Sequence, residues 1–191
     1  MTVEQMNVVI SAATLVVLLT AAIAALVQLR HIRASNDLST FSEAFELWYS
    51  PAVQEGITFI QRELTTKMED PAFRRGLEAA GPVDRTDHPE VNVLDYFDNT
   101  AICLVLGNMR EDMIMQAAGQ AACSLWQTLS PTIAIMRRRR GPQLYASFEY
   151  LVWRAQLWQK RYPNGYTPKD FARLPNPDTW LSADKTPPAQ T

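Results

Sequence analysis

The chain has 191 residues, 47% of them hydrophobic and 20% charged, with a net charge of −2 and a mean hydropathy of −0.14. Those averages exclude a disordered polyelectrolyte, a collagen-like chain and a polytopic transporter, each of which needs a far more biased composition. Two cysteines and two histidines also exclude a disulfide-dense scaffold and leave too few ligands for a standard structural zinc site.

The averages sum unlike pieces. Val8 to Val27 is an uncharged run of twenty residues, which as a helix rising about 1.5 Å per residue spans about 30 Å, the hydrocarbon thickness of a bilayer. Its hydroxyls, Ser11, Thr14 and Thr20, can bond back to carbonyls one turn earlier. A cleaved leader is the rival reading, since Ala22-Ile23-Ala24 has a small-x-small pattern. The preceding MTVEQMN carries no Lys or Arg, however, and the apolar run exceeds a usual leader core. An anchor is therefore expected. Arg30 and Arg33 follow it, against Glu4 before it, so the N-terminus should face outward and the rest of the chain the cytosol. A reducing cytosol would keep Cys103 and Cys123 as small buried thiols.

Beyond the anchor, Leu38, Phe41, Phe45 and Trp48 form a helical stripe out of phase with Leu29 and Ile32. Together with the polar run 34–37 and a capping-box pattern at Thr40 to Glu43, this predicts a hinge at 34–39. Prolines then punctuate the chain. Ser50-Pro51, Asp70-Pro71, His88-Pro89, Ser130-Pro131 and Thr167-Pro168 each pair a capping residue with a proline suited to the first helical position. Helices are predicted over 51–67, 71–79, 90–106, 109–129, 131–139 and 142–161, with a short one at 168–173. The loop Gly81 to Pro89 should be polar, with His88 capping a helix. Helix 142–161 has two apolar stripes, one through Leu144, Phe148, Leu151, Ala155 and Trp158 and another through Tyr150, Trp153 and Leu157, which predicts packing on more than one side. No period-2 runs bounded by hairpin turns occur. Six of the twelve prolines fall in the last thirty residues; Phe171 and Trp180 are expected to pack back, and 182–191 to be disordered.

The fold class is thus all-α: an N-terminal transmembrane helix with its basic exit (1–33), a cytosolic helical bundle (34–161) and a Pro-rich tail (162–191). A second span over Met113 to Met136, also uncharged, is disfavoured because Gln116, Gln120, Gln127 and Pro131 are costly in lipid.

Charge is segregated too. Residues 34–112 hold 15 acids and 6 bases, residues 113–191 hold 4 acids and 10 bases, a pattern that suits two halves complementing each other. The run Arg137, Arg138, Arg139, Arg140 closes a predicted helix, where cations meet the dipole favourably. It is also a candidate contact for an anionic leaflet. Nucleic acid is disfavoured, since no binding module or stacking motif accompanies the run.

No phosphate loop, dinucleotide fingerprint, paired-histidine helix, serine elbow or cysteine pair is present, so no catalytic residue, cofactor or metal is assigned. The best case for an enzyme is a carboxylate cluster of Asp95, Asp98, Glu111 and Asp112, the residue type that hard cations use in hydrolases and nucleotide-acting enzymes. First-turn acids at a helix N-terminus need no such role. Glu149, flanked by Phe148 and Tyr150, is a candidate for a buried ion pair with Arg154 or an arginine of the 137–140 run.

Taken together, the anchor with its basic exit, Leu94-x-Tyr-Phe-Asp98, the Gly107 turn, Glu111-Asp112, Trp126, Pro131, the arginine run and Phe148-Glu149 resemble a family of small bacterial single-pass membrane proteins of unknown function. That resemblance, over about residues 8–160, implies an inner-membrane protein with a helical cytosolic domain, and no activity. The expected role is an interaction or regulatory module with a protein partner, self-associating through the small face Ala21-xxx-Ala25.

Overall fold

The computed structural model describes residues 2–79 and 81–181, and its described residues form seven helices and no strand. The fold is all-α, as the periodicities predict. The anticipated disorder of 182–191 lies outside the described residues.

Helix α1 (Val3–Trp48) runs unbroken for 46 residues, about 69 Å at 1.5 Å per residue. The hinge expected at 34–39 is absent: without Gly or Pro between Met1 and Ser50, nothing interrupts the i to i−4 ladder. Thr40 and Glu43 lie within the helix, and the capping box sits instead at Thr2 and Gln5, which exchange side-chain bonds with each other's backbone N–H. Thr14 and Thr20 donate to the carbonyls of Ile10 and Val16. Every described side chain from 2 to 36 is exposed. The phase conflict resolves by a one-residue shift, because the face turned to the bundle is Asp37, Phe41, Ala44 and Trp48, while Leu38 and Phe45 stay exposed. Small Ala44 on that face lets α1 approach the alanines of a neighbouring helix.

The bundle forms around α5 (Glu90–Val105), whose Val93, Leu94, Phe97 and Ala101 are wholly shielded. Against it pack α1, α2 (Pro51–Arg62), α6 (Glu111–Arg140) and α7 (Ala146–Arg161). α2 crosses α5 at Gly56, where an added Cβ would stand 2.5 Å from the Pro89 carbonyl oxygen; only glycine allows that approach. Two short helices, α3 (Leu64–Lys67) and α4 (Pro71–Leu77), complete the set. The predicted helix 51–67 is split at Glu63, which leaves helical geometry at φ −123°.

Prolines 51 and 71 sit at helix starts as expected, and Asp70 caps α4 by accepting from the Ala72 N–H. The other three do not. Pro89 precedes α5 as its cap residue, Pro131 lies inside α6, and 168–173 forms no helix. Proline in a helix interior costs about 3 kcal/mol, but the Pro131 ring faces solvent while Leu129, Thr132, Ile133 and Met136 around it are shielded. At about 1.5 to 3 kcal/mol for each fully buried aliphatic side chain, that burial outweighs the lost bond. Helices expected at 109–129 and 131–139 are therefore one.

α7 begins at Ala146, not 142, because the chain reverses through two left-handed residues, Gly141 at φ 90° and Tyr145 at φ 56°. Its first stripe is shielded at Phe148, Leu151 and Ala155. The second stripe, Tyr150, Trp153 and Leu157, is exposed, which corrects the expectation of packing on both sides. Phe171 and Trp180 are exposed as well and do not pack back.

Candidate functional site

The four candidate carboxylates do not converge. Asp95, in the middle of α5, binds the Arg85 guanidinium at 2.6 Å and accepts from the Tyr145 hydroxyl at 3.0 Å. Burial, and then the Asp95 charge, push the Tyr145 phenol well above its ordinary range. Asp98, one turn on, accepts from the Phe148 backbone N–H at 2.9 Å. Phe148 is the third residue of α7, and Tyr145 at the cap supplies no side-chain bond. Asp98 thus caps α7 from another helix, and its charge meets the positive end of the dipole.

Glu111 engages the Arg154 guanidinium through both oxygens. Asp112 pairs with Arg110 at 2.5 Å, and that hydrogen bond holds its carboxyl below the usual range. Each acid is committed to its own partner, so the metal-binding cluster is not formed, and among the described residues no three His, Cys, Asp or Glu side chains gather to hold an ion.

The arginine run is absorbed likewise. Arg137 donates to the Leu144 carbonyl at 2.9 Å and to Glu149 at 2.8 Å; Arg138 pairs with Glu78 at 2.9 Å; Arg140 reaches the Gly81 carbonyl at 2.7 Å. Among the described residues Arg139 alone of the four shows no such bond. The run ties the end of α6 to Glu78, to the Ala79 and Gly81 carbonyls and to α7. α6 starts beside residues 33–40 of α1, where Arg110 feels the charge of Asp37, and its thirty residues carry the run about 40 Å from there.

Of the two partners expected for Glu149, the arginine run supplies the one it meets, Arg137, and Arg154 is not paired with it. Five residues apart on a helix, the two project about 140° from each other, so Glu149 turns to Arg137 and Arg154 to Glu111. Glu149 is not buried, with 54% of its side chain exposed. Arg30 and Arg33 lie exposed on α1 just past the apolar run. Cys103 and Cys123 are half-buried free thiols, and burial pushes the Cys123 thiol up, away from reactivity.

One polar pair escaped the sequence reading. His88 and Glu90 are both buried, with Nδ1 and Oε1 3.1 Å apart. The Phe73 ring packs tilted against the imidazole at 4.2 Å, and His88 Nε2 packs so closely on Gly76 that no Cβ fits there. Oε2 of Glu90 has no hydrogen-bond partner. The signal was present in the spacing: Glu90 is in phase with Leu94, Phe97 and Ala101, the buried face of α5. The chemistry of the pair is that of a structural contact between α4 and α5.

Open clefts do exist. One of about 490 Å³ lies between α6 and the end of α7, lined by Gln116, Gln120, Trp158, Tyr162 and Tyr166. Another, about 580 Å³, lies between Arg33, Asp37 and the Gly107-Asn108 turn. Neither holds a nucleophile paired with a base.

A family model described as Domain of unknown function (DUF4760) matches residues 15–155, most of the chain, and the chain belongs to that family. The match begins inside the apolar run and ends inside α7, so it takes in part of the run together with most of the bundle. Comparisons with curated proteins and with solved structures find no match.

Proposed function

We propose that this member of the DUF4760 family is a single-pass protein of the bacterial inner membrane that holds a non-catalytic helical interaction module at the cytosolic surface. The observation that carries this is the unbroken α1, whose first half is long and apolar enough to cross a bilayer and exposed at every described side chain, while its last turns pack into the bundle. A side chain from 8–27 left in water would cost about 25 cal/mol per Å² of apolar surface, a loss that lipid removes. Arg30 and Arg33 favour the cytosol for the bundle. Support for a non-catalytic role comes from Asp95, Asp98, Glu111 and Asp112, each bound to its own partner within the fold.

Fractionation of the full chain in a bacterial host tests the reading. The protein should resist alkaline carbonate extraction, and a reporter after Thr191 should be active only in its cytosolic form. Removing residues 1–33 should release the remainder to the soluble fraction. Carbonate-extractable full-length protein would overturn the anchor, and an externally active reporter would overturn the orientation.

A further inference from the structure

We infer that the exposed apolar face shared by α5 and α7 is a lipid-contacting surface that lays the bundle against the anionic leaflet from which α1 emerges. The inference rests on the membrane-tethered reading above and deepens it by assigning the contact to residues far from the arginine run.

Position comes first. The turn after α5 lies level with the first turns of α1 beyond the apolar run, since Gly107 and Asn108 line one cleft with Arg33 and Asp37. Arg33 is six residues past Val27, about 9 Å along the axis, and the headgroup layer is itself about 6 Å thick. Trp158 and Tyr162 at the end of α7 line one cleft with Met115 and Gln116 in the first turns of α6, which follow that turn, so the end of α7 lies near this same level. The turn and the end of α7 therefore stand at the outer edge of the headgroups, and a modest tilt of α1 brings them into contact.

Chemistry comes second. Leu106 is 66% exposed and Val105 58%, and on α7 Trp153 and Leu157 are 51% and 42% exposed. The two sets adjoin, because Val105 and Tyr150 line one hollow together with Arg154. Aliphatic residues with Trp and Tyr make the mixture that settles at a membrane interface.

The charge around this face has the matching sign. Arg110 and Arg154 are neutralised by Asp112 and Glu111. Lys160 and Arg161, which continue the exposed α7 stripe toward α1, form no ion pair among the described residues, and neither do Arg30 and Arg33. Four free cations at the end nearest the span complement anionic headgroups. The arginine run at the far end of α6 lies several Debye lengths away.

The test uses the full chain in nanodiscs of phosphatidylglycerol or of phosphatidylcholine, on a Cys103→Ser, Cys123→Ser background. A polarity-sensitive fluorophore is placed by Leu106→Cys, Leu157→Cys, Arg139→Cys or Leu18→Cys, all exposed positions, and spin-labelled lipids serve as quenchers. Quenching at 106 and 157 should far exceed that at 139 and be stronger in phosphatidylglycerol. Lys160→Gln with Arg161→Gln should lower the docked-to-undocked ratio about 30-fold, from a factor of about five for each cation near an anionic surface. Quenching at 106 and 157 no greater than at 139 would overturn the proposal. A blue-shifted but unquenched fluorophore there would also overturn it and assign the face to a protein or a second copy. Loss of quenching at 18 identifies failure of the tethered reading itself and removes the proposal with it.

Discussion

Asp98 accepts a bond from the third residue of α7, fifty positions away, and the cost of removing it follows from what a cap supplies. Asp98→Ala deletes both the acceptor and the charge. Loss of a capping bond costs about 1 kcal/mol and loss of a carboxylate at a helix N-terminus about 0.5 kcal/mol more, so the total is about 1.5 to 2 kcal/mol. For a domain of this size 1 kcal/mol shifts Tm by about 2 to 4 °C, giving a fall of about 3 to 8 °C. Asp98→Asn keeps an acceptor and loses only the charge, and should cost about 1 to 2 °C. The ordering matters as much as the size. Near-ultraviolet circular dichroism of the detergent-solubilised chain is the assay, since Phe97 and Phe148 stack at 4.8 Å beside this bond and Trp126 packs on Phe148. Equal losses in the two variants, or none in either, would refute the assignment of Asp98 as a cap.

Other outcomes follow from the same contacts. Gly56→Ala drives a methyl into the Pro89 carbonyl and Val93, and should destabilise the bundle by about 1 to 3 kcal/mol in a denaturant titration. His88→Ala strips a fully buried Glu90 of its one partner and should cost about 3 to 5 kcal/mol, whereas His88→Leu combined with Glu90→Met should recover most of that in a double-mutant cycle. The raised Tyr145 phenol predicts an alkaline effect: below pH 10 it is protonated in both states, and above pH 10 the unfolded chain releases its proton first, so stability falls as pH rises. Tyr145→Phe should flatten that fall, leaving the part due to Tyr96, whose phenol is also raised by burial, and should cost about 1 kcal/mol at neutral pH through the lost bond to Asp95. Identical alkaline slopes in wild type and variant would contradict this.

Much of the fold was legible because it is written in local spacing. The uncharged run, the Asp70 cap, the proline helix starts at Pro51 and Pro71, and the Gly107 turn at φ 73° need no distant partner to be recognised. The misjudged boundaries share one cause, which is that packing overrides a local signal. Pro131 reads as a helix start until Leu129 and Ile133 are seen to be buried on either side of it. The polar stretch 34–37 reads as a break until Asp37, Phe41, Ala44 and Trp48 are seen to turn one continuous helical face to the bundle. At the level of side-chain chemistry, sequence could offer acids and arginines but not their matching. Asp98 with Phe148, Glu111 with Arg154 and Arg138 with Glu78 are separated by 43 to 60 residues, and no periodicity reports who meets whom at that range.

The continuity of α1 fixes more than distance. An α-helix advances 100° per residue, so a rod that is both the apolar run and a docked bundle element sets the azimuth at which the bundle faces its surroundings. One residue inserted near 35 would turn the bundle by about 100° about the rod, and two by about 200°, while seven would return it within about 20° and raise it about 10 Å. Any partner bound both to the lower half of this helix and to the bundle would sense that angle, so a rotation imposed at one end is delivered as a rotation at the other.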